Sequence, residues 1–91
     1  MDPRSTVDVV RDAEALEVVI DAQRAEQRNA ESLLSRLWEL RDALVARGTE
    51  EARVRLDALD RDIAAGTARV KQALRLQAEL TMRLGRAQGA H

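Results

Sequence analysis

The chain contains one clear signal for ending a helix and starting another, and it lies near the middle. The only proline is Pro3, and the one strong break in the helical pattern is the segment 47–51, Arg-Gly-Thr-Glu-Glu. A basic residue suits the last turn of a helix, a glycine suits the left-handed position after it, and a threonine can cap the next helix. We therefore predict two long helices joined by a tight turn, and a connection this short makes them antiparallel neighbours.

Composition and length favour the same all-α architecture in a single domain. Hydrophobic residues make up 45% of the 91-residue chain, but only one residue is aromatic. Leucine, alanine, glutamate and arginine are strong helix formers, whereas sheets rely more on aromatic and β-branched residues. Within the domain 1–91 we expect a first helix at about 5–47, a turn at 48–49, a second helix at about 50–86 and a frayed tail at 87–91.

A heptad pattern predicts that the two helices form a coiled-coil-like hairpin with an apolar seam. When the chain is folded at Gly48, every position a of one helix faces a position d of the other, so that Ala30 meets Gly66 and Leu37 meets Leu59. Gly66 permits close helix approach or a hinge, or is simply tolerated. The predicted seam residues are Leu16, Val19, Ala30, Leu33, Leu37, Leu40, Leu44, Leu56, Leu59, Ile63, Gly66, Val70, Leu80 and Leu84.

The charges support this pairing. Residues 1–62 carry 15 acidic and 10 basic side chains, a net charge of −5, whereas residues 63–91 carry one acidic and five basic side chains, a net charge of +4. Folding at the central turn brings the acidic start of the chain beside the basic segment 69–86. Each exposed ion pair contributes only a few tenths of a kcal/mol, but together they favour one register over its alternatives.

Apolar residues outside the seam predict a second packing face. We expect it to be covered by another helix, so that the hairpin completes a four-helix bundle by dimerisation or by binding a partner. The alternative is that these are ordinary exposed apolar side chains. The candidate interface residues are Ile20, Leu34, Trp38, Val45, Leu74 and Leu76.

No pattern for catalysis, cofactor binding or metal binding is present. The chain has no cysteine, and its single histidine is His91, so zinc ligation and histidine-based catalysis are not expected. Asp57 and Asp60 share a helix face, but the neighbouring arginines favour a salt-bridged surface over a cation site. We expect no enzymatic activity, no small-molecule substrate, no cofactor and no membrane span. The absence of an apolar leader makes the cytoplasm the expected location.

The expected function is a structural or adaptor role in protein–protein interaction, through a homo-oligomer or a helical hetero-complex. In size and heptad character the chain resembles small chaperones and stalk proteins of flagellar and type III secretion systems, and tubulin-binding cofactor A. That resemblance implies an alternative, a cytoplasmic chaperone that shields a partner's amphipathic helix. Nucleic-acid or membrane-surface binding through segment 69–86 is the least favoured interpretation, because this segment lacks aromatic residues for stacking.

Overall fold

Two long helices make up the part of the chain that the structure describes. The computed structural model describes the backbone of residues 6–89 and the side chains of residues 11–89. The helices are α1 (Thr6–Arg47) and α2 (Glu50–Gly89), and no strand occurs between residues 6 and 89. They pack against each other as an antiparallel hairpin measuring 70 × 17 × 14 Å. The predicted fold class is therefore confirmed, and the predicted helix start at residue 5 lies outside the described residues.

The turn between the helices is built as predicted. Gly48 has a φ of 63°, the left-handed conformation that a side chain would disfavour. The Thr49 hydroxyl accepts a hydrogen bond from the backbone N–H of Ala52 at 3.1 Å, and the Thr49 carbonyl accepts one from the N–H of Arg53 at 3.0 Å. Gly48 thus ends α1, and Thr49 caps α2.

Helix α2 is longer than predicted. It continues to Gly89, three residues beyond the predicted end at Arg86. Ala87 is half-buried and lines a concavity together with Leu16 of α1, so the last described turn of α2 still lies alongside α1. The predicted frayed tail is helical where it is described, and its last two residues lie outside the described range.

The largest apolar cluster lies in the half of the hairpin next to the turn. Its buried members are Leu44, Ala52, Leu59 and Ile63, and three more leucines pack against them, Leu34, Leu37 and Leu56. Farther from the turn the buried residues are the small ones Ala30, Gly66 and Ala73, together with Ile20. Small residues bury little apolar area but allow the two helix backbones to approach closely.

Each heptad of α1 has two predicted seam positions, and only one of them faces α2 as predicted. Val19, Leu33 and Leu40 were assigned to the seam, but they are 43%, 42% and 51% exposed, so this part of the prediction is wrong. The next residue along the chain takes the seam position. Ile20 is only 4% exposed, and Leu34 packs against the core cluster.

The charge of Glu26 provides the physical reason for this difference. Glu26 stands seven residues from both Val19 and Leu33, so the predicted seam places it inside the interface as well, where a buried carboxylate is costly. In the observed arrangement the neutral Gln27 points towards α2 instead, and Glu26 lies at the edge and accepts hydrogen bonds from Arg69 at 2.6 and 2.9 Å. Both faces of α1 offer apolar residues, and the observed one keeps the charged residue at the solvent boundary.

Individual contacts across the interface also differ from the predicted pairs. The register that pairs Ala30 with Gly66 also pairs Val19 with Gln77. Gln77 instead hydrogen-bonds to Gln23 and Gln27, and Leu34 is the side chain nearest to Gly66. Side chains in an α-helix lean towards its N-terminus. In an antiparallel pair the side chains of the two helices therefore lean in opposite directions. Two side chains whose tips touch are then attached to backbone positions that differ in height by about one helical turn.

Candidate interaction surface

One side of the hairpin exposes a row of large apolar residues, and we call it the groove face. It is defined on α1 by Val19, Leu33 and Leu40, which recur at multiples of seven residues and therefore lie along one side of the helix. All three are exposed, although neighbouring positions in the seam are buried or half-buried. Adjacent apolar pairs such as Leu33 and Leu34 are the sequence signal for this face, because one member turns inwards and the other stays at the surface.

Three shallow concavities follow the groove face along the length of the hairpin. The one nearest the turn lies between Leu40 and Leu44 of α1 and Ala58 of α2. The middle concavity is lined by Gln23 and Glu26 of α1 and by Ala68, Arg69, Gln72 and Ala73 of α2. The third, farthest from the turn, is lined by Asp12, Ala15, Leu16, Val19 and Ala87. The three concavities are separate, but together they mark a mainly apolar channel between the helices, which suits the binding of another helix.

Charged residues of α2 border the groove face. Arg69 forms an ion pair with Glu26 across the channel, with nitrogen and oxygen 2.6 Å apart. Arg55 and Asp62 flank the concavity nearest the turn. Arg83 occupies the same position of the heptad as Arg69, two heptads farther along the helix. An apolar centre with a charged rim is the usual anatomy of a protein–protein interface.

The opposite side of the hairpin carries Trp38, Val45 and Leu74, and we call it the tryptophan face. The Arg41 guanidinium lies 5.6 Å from the centroid of the Trp38 ring, and its Nε donates to Asp60 of α2 at 2.8 Å. Arg41 therefore binds the indole and α2 together at the edge of the seam. Trp38 remains 49% exposed, so this contact covers only part of the ring.

The structure divides the predicted partner interface among three places. Ile20 is buried and Leu34 packs against the core, so these two belong to the contact between α1 and α2. Leu76 is half-buried at the groove face, and the other three residues, Trp38, Val45 and Leu74, are exposed on the tryptophan face. Of the remaining seam residues, those buried are Ala30, Leu44, Leu59, Ile63 and Gly66, and those half-buried are Leu16, Leu37, Leu56, Val70, Leu80 and Leu84.

A layer of glutamines interrupts the apolar seam in the half away from the turn. The Gln77 amide donates to Gln27 Oε1 at 2.8 Å and to the carbonyl oxygen of Gln23 at 3.4 Å. Gln23 and Gln77 lie seven residues after the predicted seam residues Leu16 and Val70, so both stand at seam positions of the heptads, whereas Gln27 does not. No buried side-chain nitrogen or oxygen among the described residues lacks a hydrogen-bond partner. A satisfied polar layer restricts the ways in which two helices can slide past each other.

The described side chains offer no clustered chemistry. Between residues 11 and 89, no group of three or more histidine, cysteine, aspartate or glutamate side chains is placed to hold a metal ion. Neither α1 nor α2, over the residues described, has a stretch apolar enough to cross a membrane.

Comparisons of the chain with protein-family models, with curated proteins and with solved structures give no match.

Proposed function

We propose that this chain is a non-enzymatic, cytoplasmic protein–protein interaction module that acts by packing its groove face against helices of a partner. The observation that supports the proposal is the set of exposed residues Val19, Leu33 and Leu40, aligned beside concavities between the two helices. Scattered single apolar residues are normal on a protein surface. A row of them along a groove with a charged rim is instead typical of a binding site for an amphipathic helix.

The hairpin has a structural need for such a partner. Its one cluster of buried residues lies near the turn, and farther away the only buried residues among those described are Ile20 and the small residues Ala30, Gly66 and Ala73. Two helices of this kind bury little apolar surface for a chain of 91 residues. Covering the groove face with further helices adds apolar burial at about 25 cal/mol per Å² without changing the hairpin itself.

A retention experiment tests the proposal. Tagged wild-type chain, a Leu33→Gln/Leu40→Gln variant and a Val45→Gln variant are used to capture proteins from the native cells, and retained proteins are identified by mass spectrometry. Glutamine is a good helix former and neutral, so both variants keep the helix and the charge pattern. Val45 is 52% exposed on the tryptophan face and Leu40 is 51% exposed on the groove face, which makes Val45→Gln a matched control.

We expect the wild type and the control to retain the same helical protein or protein complex, or further copies of the chain, and the groove-face variant to lose it. Circular dichroism verifies that all three chains are equally helical. Equal retention by all three would contradict the proposal, and so would the absence of any specific protein from every sample.

A small chaperone is the second candidate, and the same exposed groove supports it. A chaperone should remain monomeric with Leu33 and Leu40 exposed and be strongly stabilised when a client helix binds. An adaptor should instead form a stable assembly at its working concentration. Thermal unfolding of the purified chain over a hundredfold range of concentration separates the two, because only a self-assembled form shows a midpoint that rises with concentration.

A further inference from the structure

We infer that the helices covering the groove face belong to a second copy of this chain, with both turns at the same end of a four-helix bundle. This inference rests on the proposed function, because it names the occupant of the surface described above. In the bundle, α1 of each copy packs against α2 of the other. The two groove faces meet at the centre, and the two tryptophan faces point outwards.

The apolar pattern of α1 fits two neighbouring helices at once. Four residues, Leu16, Ala30, Leu37 and Leu44, lie in the middle of a wide apolar band. On one side of them Ile20 and Leu34 complete the contact with α2, and on the other side Val19, Leu33 and Leu40 complete a second stripe along the groove face. Overlapping stripes of this kind are typical of helices that contact two neighbours in a bundle rather than one in a coiled coil.

The direction of the second copy follows from symmetry. A twofold axis parallel to the long axis of the hairpin places α1 of one copy over α2 of the other, antiparallel and at the same level. All neighbouring helices in the bundle are then antiparallel. An axis perpendicular to the hairpin instead stacks α1 on α1 and separates the two turns by most of the 70 Å length.

Charge distinguishes these two arrangements. Residues 11–26 of α1 carry five acidic and two basic side chains, a net charge of −3, and residues 69–86 of α2 carry five basic and one acidic side chain, a net charge of +4. With the turns together, each acidic segment faces the basic segment of the second copy. With the turns apart, it faces residues 31–47 of α1, where three acidic and three basic side chains cancel. Complementary charge therefore favours the first arrangement.

The rim of the groove face provides the contacts that this arrangement needs. Glu26 and Arg69 reach each other within one hairpin through an ion pair of 2.6 Å. A twofold axis along the hairpin leaves the height of every residue unchanged, so Glu26 of one copy also comes within reach of Arg69 of the second copy. Leu76 lies one heptad after Arg69, and Val19 lies one heptad before Glu26. The half-buried Leu76 of one copy therefore comes near Val19 of the second copy.

Two measurements on the full chain test the inference. Sedimentation equilibrium determines the mass, and we expect a dimer at micromolar concentration. An Ala46→Cys variant then carries a single spin label at an exposed site beside the turn, because the natural chain has no cysteine. Two helix diameters separate the labels when the turns are together, about 20–30 Å. A distance near the full 70 Å length overturns the arrangement.

The interface itself is located with a matched pair of substitutions. Leu40→Gln should weaken the dimer by at least about tenfold, and Val45→Gln should change it by less than about twofold. The emission maximum of Trp38 should not move as the dimer forms, because the indole faces outwards. A blue shift of Trp38, or equal weakening by the two substitutions, overturns the assignment of the groove face.

A monomer at all concentrations overturns the inference but leaves the proposed function standing if the groove face retains a different protein in the capture experiment. If the chain is monomeric and the groove face retains nothing, both fail.

Discussion

A Cβ atom added to Gly66 would lie 2.9 Å from Cδ2 and 3.2 Å from Cγ of Leu34. The first distance is shorter than real Cβ atoms tolerate, so the absence of a side chain at Gly66 is what allows Leu34 to pack against α2. The leucine of α1 and the glycine of α2 therefore act as a matched pair, large against small. This contact also fixes which of two adjacent leucines, Leu33 or Leu34, faces inwards.

Gly66→Ala should stabilise the hairpin less than a helical glycine replacement normally does. Such a replacement adds about 1 kcal/mol when nothing opposes the new methyl group. In the wild type, displacement of Leu34 offsets most or all of this gain, whereas in a Leu34→Ala background the full gain should return. Urea unfolding of the wild type, the two single variants and the double variant measures the coupling free energy between Gly66→Ala and Leu34→Ala. We expect it to be at least about 0.5 kcal/mol. Equal gains in both backgrounds would show that the two residues are not in steric contact.

Leu34→Ala and Leu33→Ala should differ strongly although the residues are neighbours. Truncating the half-buried side chain of Leu34, which packs against the core cluster, should lower the free energy of unfolding by about 2 kcal/mol, because it leaves a cavity beside Gly66. Truncating Leu33, which is exposed, should cost less than about 1 kcal/mol in the monomer. Denaturant unfolding at a concentration where sedimentation shows a monomer makes the comparison. A larger loss of stability from Leu33→Ala than from Leu34→Ala would mean that Leu33 faces α2, as the sequence predicted.

Replacing both glutamines of the Gln27–Gln77 pair by leucine should stabilise the hairpin more than the two single replacements together. A single replacement leaves the remaining amide without its partner at a half-buried site, which should cost about 1 kcal/mol. The double replacement removes both polar groups and adds apolar burial. Thermal unfolding of the wild type, the two single variants and the double variant measures the interaction free energy between Gln27 and Gln77. Additive effects would mean that the 2.8 Å hydrogen bond contributes nothing in solution.

Gly48→Ala and Gly85→Ala should act in opposite directions. Gly48 has a positive φ, which costs an alanine about 1–2 kcal/mol. Gly85 lies within α2, with no neighbouring atom within 4 Å of an added Cβ, so alanine there should add up to about 1 kcal/mol. Thermal unfolding of the two variants beside the wild type reveals the difference. Stabilisation by Gly48→Ala would show that the turn does not need the left-handed conformation.

Much of this architecture could be predicted because its causes are local. A glycine and a threonine between two runs of helix formers mark the turn, and the structure confirms Gly48 and Thr49 in the predicted roles. The predicted seam residues of α2, from Leu56 to Leu84, are all buried or half-buried, since only one face of α2 repeats apolar and small residues every three and four residues. Ala52 and Ala73 are buried as well, although they are not among the predicted seam residues.

The face of α1 that meets α2 was decided only by the tertiary structure. The sequence by itself determined two long helices, one tight turn and an antiparallel pairing, because propensity and capping act within a few residues. Val19 and Ile20, like Leu33 and Leu34, satisfy a heptad equally well when α1 is considered alone. Only contact with α2 separates them: one rotation of α1 buries the charge of Glu26, and the other leaves it at the rim beside Arg69 and places Leu34 against Gly66. The exposed groove face is the consequence of that choice.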